Sequence, residues 1–81
     1  MEYQIIAVTK SGLVNHAGVH KLGKISHKTI VKLERKWQAW RKNYVDNHPG
    51  NYPLKENKNI SSRVIIYPVD RPDNKRVFNL S

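Results

Sequence analysis

The stretch from Ile25 to Val45 reads ISHKTIVKLERKWQAWRKNYV, and apolar side chains recur in it at Ile30, Leu33, Trp37, Trp40 and Tyr44. Steps of three and four residues are the signature of one helix face, and at 100° per residue these five positions fall within about 80° of arc. Lys28, Lys32, Arg35 and Lys42 lie on the opposite side, interrupted only by Ala39. The spacing therefore predicts an amphipathic helix over 26–44 that lays its apolar stripe, both tryptophans included, on a core. Its cationic side is left facing water.

Around that helix the composition sets the limits. With 81 residues there is room for one domain and one modest core. The absence of cysteine rules out a disulfide framework or thiolate zinc site and fits an intracellular, cytoplasmic protein. The opening MEYQIIAVTK has neither the basic start nor the apolar run of a secretory signal. No stretch approaches the roughly 18 apolar residues of a membrane span. Fifteen Lys and Arg against six Asp and Glu leave a net charge of +9, and the excess is uneven. Residues 1–45 hold nine basic and two acidic side chains, whereas 46–81 hold six and four. A basic field of this kind favours nucleic acid, an anionic membrane surface or an acidic protein.

Upstream of the helix, residues 3–10 contain Ile5, Ile6 and Val8 and predict a strand, ended by the turn pair Ser11-Gly12. A second strand is expected over 13–20, completing a hairpin. Because Ile5 and Ile6 are adjacent, alternation alone leaves open which of them faces the core. Ser26 offers the helix N-cap, with Ile25 and Ile30 at the two positions of a hydrophobic staple. Downstream, the breakers from Asp46 to Gly50 open an expected exposed loop over 46–62 that carries Tyr52. The β-branched run RVIIYPV predicts a strand over 63–69, with Pro68 at an edge, a bulge or the strand end. A short strand over 76–80 follows. The expected fold class is α+β: a small antiparallel sheet of two hairpins, in the order ββαββ, covered on one face by the single helix.

The element order, the opening Ile5-Ile6-Ala7-Val8 and the closing Asn79-Leu80 resemble a family of short, uncharacterised bacterial and archaeal proteins. The likeness covers fewer than ten residues, without the glycine-rich middle of that family. It implies the fold and no activity.

His16 and His20 have the four-residue spacing of paired zinc ligands, but on a strand four residues span about 13 Å, and no cysteine or acid stands near to complete a set, so no metal and no cofactor are expected. The acids are dispersed, Glu34 facing Gln38 and four others falling in loops or turns. There is no phosphate-binding glycine loop, nucleophile elbow or Cys/His pair. An enzyme acting on a small-molecule substrate is not expected. The cationic face is more telling. Lys28–Lys32 and Lys32–Lys36 are like-charged pairs one turn apart, each costing about 0.2–0.5 kcal/mol, and Lys24 and Lys28 sit at the unfavourable positive end of the helix dipole. A polyanion would relieve that repulsion.

The expectation is thus a non-enzymatic module that binds DNA or RNA through phosphate contacts from Lys28, Lys32, Arg35 and Lys42, with Lys21 and Lys24 assisting. The rival is a protein-interaction module, such as a phage-type accessory or inhibitor factor, whose basic face docks on an acidic protein. In that case the apolar seam would serve a homodimer contact.

Overall fold

The computed structural model describes residues 1–47 and 59–80, apart from the side chain of Val45. Strands β1 (Glu2–Val8) and β2 (Val14–Lys21) precede the helix α1 (His27–Asn47), and β3 (Arg63–Pro68) and β4 (Arg76–Asn79) follow it. The four strands form one sheet in the order β2-β1-β3-β4, every neighbouring pair antiparallel. Since β1 is antiparallel to both its neighbours, β2 and β3 run parallel. α1 therefore carries the chain over β1, from an edge strand to a central one. The α+β class and the ββαββ order stand as read from sequence. Of the expected loop over 46–62, residues 48–58 and with them Tyr52 lie outside the described residues.

The β1–β2 turn follows from its chemistry. Gly12 adopts a φ of 94°, a conformation that favours glycine. Thr9 closes the turn twice, its N–H donating to the Leu13 carbonyl at 2.8 Å and its Oγ1 accepting from the Leu13 N–H at 3.0 Å. Beyond the turn β2 carries a bulge, since Ala7 pairs with His16 but Val8 with Val14, which leaves Asn15 as the extra residue.

Register decides the core. Ile5 pairs with Gly18 on one side and Ile66 on the other, and Ala7 with His16 and Val64. These rows face α1, so Ile5, Ala7, Val64 and Ile66 close with Ile30 and Phe78 into the buried cluster. Ile6 falls on the other face and is only half-buried. Tyr3, Leu22, Ile25, Leu33, Trp37 and Leu80 pack around the cluster. Pro68 ends the central strand β3, where its missing N–H interrupts no ladder. The helix starts as its sequence asks. The Thr29 N–H donates to Ser26 Oγ at 3.3 Å, the Ile30 N–H to the Ser26 carbonyl at 3.0 Å, and Ile25 and Ile30 both join the core.

The roll of the helix about its axis differs from the expectation. Ile30, Glu34 and Arg41 are buried and Trp37 is half-buried, whereas Trp40 is 59% exposed. At 100° per residue the inward direction lies roughly 50° from the centre of the apolar stripe. The assignment of Trp40 to the core is thus corrected. The cause is Glu34, which points into the protein and takes Arg41 with it.

Candidate nucleic-acid interface

Two clamps hold α1 at this roll. The first is the Glu34–Arg41 pair. Arg41 Nη1 donates to Glu34 Oε1 and Arg41 Nη2 to Glu34 Oε2, both at 2.9 Å, a fork-to-fork arrangement seven residues apart on the inner face. The Ser61 N–H donates to Glu34 Oε2 at 2.8 Å, and Arg41 Nη2 to the Asn59 carbonyl at 3.1 Å. The pair thus ties the helix to the segment that leads into β3. Both ions are out of water, and their hydrogen bonds make that burial tolerable. Glu34, one of the acids read from sequence as dispersed and unpaired, is thus buried in a pair with Arg41.

The second clamp joins α1 to the edge strand. His16 stacks on Trp37 with ring centroids 4.0 Å apart and planes 10° from parallel. His16 and His20 flank Gly18 on the helix-facing side of β2, and their Nε2 atoms meet at 3.0 Å. The expectation that strand spacing keeps these rings apart fails because both lean over Gly18. A Cβ there would stand 3.4 Å from His20 Nε2. With ring centroids 5.2 Å apart, the two nitrogens face head-on, as in one N–H donating to one lone pair. Burial holds His16 below the ordinary imidazole value; the neighbouring charges of His20 and Arg41 act in the same direction and Glu34 opposes them. Among the described residues no three His, Cys, Asp or Glu side chains are grouped to hold a metal ion.

With the inner face held in this way, the outer face is determined. Lys28, Lys32, Arg35 and Lys42 are all exposed and share one side of α1. Lys36, one turn after Lys32, is exposed at the border of that side. From Lys28 to Lys42 the stripe is about 21 Å long at 1.5 Å per residue. Lys24 is exposed in the connector that leads into the helix. Lys21 is not gathered with the others. Strand alternation sets it on the sheet face opposite His20, across from Glu2 in the register. His27 anchors the start of the stripe, its Nε2 donating to the Asn79 carbonyl at 3.1 Å.

What sequence reasoning missed is the packing of polar groups. Glu34 and Arg41 fall on the same face as Ile30 and Trp37, and that i, i+7 coincidence of opposite charges was the available signal. Gly18 between two histidines was the other. No helix among the described residues is long and apolar enough to cross a membrane. No known protein family, curated protein or solved structure matches this chain.

Proposed function

We propose that the protein binds nucleic acid through the outer face of α1, with phosphates neutralising Lys28, Lys32, Arg35, Lys36 and Lys42, and Lys24 assisting at the helix start. One observation carries the reading. Glu34 is the only acid between His27 and Tyr44, and it is buried on Arg41. Glu34 is thus turned inward, and Asp46 in the last turn is the one other acid of α1, so five exposed cations stand on the outer side of the helix against a single exposed acid. Like charges one turn apart repel, and a polyanion turns that repulsion into attraction. A stripe of about 21 Å matches roughly six phosphates at the 3.4 Å rise of one strand. Contacts of this kind position a strand and carry no base sequence information.

The test is an affinity measurement across salt concentrations. Four to six phosphate contacts give a slope of log K against log salt of about −4 to −5 on duplex, or about −3 to −4 on a single strand. Absence of binding to both DNA and RNA at low salt would refute the reading and leave an acidic protein as the partner of the same face.

A further inference from the structure

Resting on that reading, we infer that the nucleic acid taken is single-stranded, and that one of its bases stacks on Trp40 while its phosphates lie along the cationic stripe. The starting observation is the difference between the two tryptophans. Trp37 is closed off by His16 at 4.0 Å. Trp40 is 59% exposed and is braced by Tyr44, whose ring centroid lies 5.2 Å away with planes 24° apart. The two rings, one turn apart, form a ledge on the helix surface.

The surroundings of the ledge select its occupant. Lys36 precedes Trp40 by one turn on the same side of the helix, and Lys32 lies one turn before Lys36. Going the other way around α1, Trp40 borders a hollow of about 350 Å³ shared with Asn15, His16, Trp37 and Arg41. That hollow carries little net charge, because Glu34 neutralises Arg41. Cations stand on one side of the ring and a neutral aromatic recess on the other. The matching partner is anionic along one edge and flat and apolar along the next. A duplex offers the phosphates but keeps its base faces within the stack. A single strand offers both, and aromatic platforms beside cationic grooves bind single strands in this manner.

The experiment compares a fluorescein-labelled oligothymidine strand with a fully paired duplex of equal length, using the full chain. The single strand is expected to bind more tightly, and saturating strand should quench tryptophan emission. Trp40→Ala should weaken single-strand binding by about 5- to 150-fold while changing duplex binding less than about twofold and leaving the salt slope intact. Quenching should persist in Trp37→Phe and vanish in Trp40→Phe, a readout that does not depend on the alanine variant. Unchanged single-strand affinity in Trp40→Ala, or tighter binding to duplex, would overturn the stacking inference and leave the phosphate reading standing. Failure of the wild type to bind either polymer would overturn both.

Discussion

Removing the Arg41 side chain would leave the Glu34 carboxylate buried with one N–H donor, from Ser61, and no counter-ion. Breaking a buried pair from one side costs about 3–5 kcal/mol, a large share of the stability of so small a domain. Arg41→Ala is therefore expected to shift urea unfolding strongly. Glu34→Ala combined with Arg41→Ala should cost clearly less than the two single changes added together, because the double variant buries no uncompensated charge. Additive costs would show that the pair acts only as packing. His16 sets a pH dependence. Its folded-state value lies below the ordinary one through burial, so between the two values the unfolded chain binds more protons than the native one. Its contribution is complete above the unfolded value near 6.5 and is lost as pH falls through that region. The urea midpoint should fall between about pH 7.5 and 5.5, and His16→Gln should flatten the fall. An equally steep fall in the variant would assign the dependence to other groups. This residue-scale detail left only faint marks in the sequence, the i, i+7 spacing of Glu34 and Arg41 and the glycine between His16 and His20. A glutamate is almost never buried unless it is paired, and the partner that makes burial tolerable stands two turns away.

At the scale of the element, α1 was legible in its existence, its start and its cationic side, and illegible in its roll. Ser26, Ile25 and Ile30 mark the start by local chemistry that the fold cannot easily override. Roll depends on which residues the rest of the molecule accepts. An apolar stripe locates the core only where every charge goes to water, and Glu34 does not. The difference can be measured. Trp37→Ala removes a ring that joins the core and stacks on His16, and should cost about 3 kcal/mol. Trp40→Ala removes an exposed ring and should stay within about 0.5 kcal/mol. Equal costs would return Trp40 to the core. The hairpins were likewise legible, from turn residues and β-branched runs. The pairing of β1 with β3 was not, because it joins residues far apart in the chain and leaves no local mark.

For the whole molecule, the consequence is an uneven distribution of charge between its two faces. The face of the sheet turned away from α1 carries an apolar row in register across all four strands, Ala17, Ile6, Ile65 and Val77. The cations that matter for the proposed function stand on the helix side, where the two clamps hold them outward. Net charge alone would draw a polyanion to any part of the surface, whereas an organised stripe draws it to one. A comparison of two double charge reversals separates these cases most directly. Lys28→Glu with Arg35→Glu alters the stripe, and Arg71→Glu with Lys75→Glu alters exposed positions in the β3–β4 turn, each pair lowering the net charge of +9 by four. Affinity for an oligonucleotide is measured for both against salt. The helix pair is expected to weaken binding at least about tenfold and to flatten the salt slope by roughly 1.4–1.8, while the turn pair leaves the slope near that of the wild type. Equal losses from the two pairs would contradict a defined interface on α1.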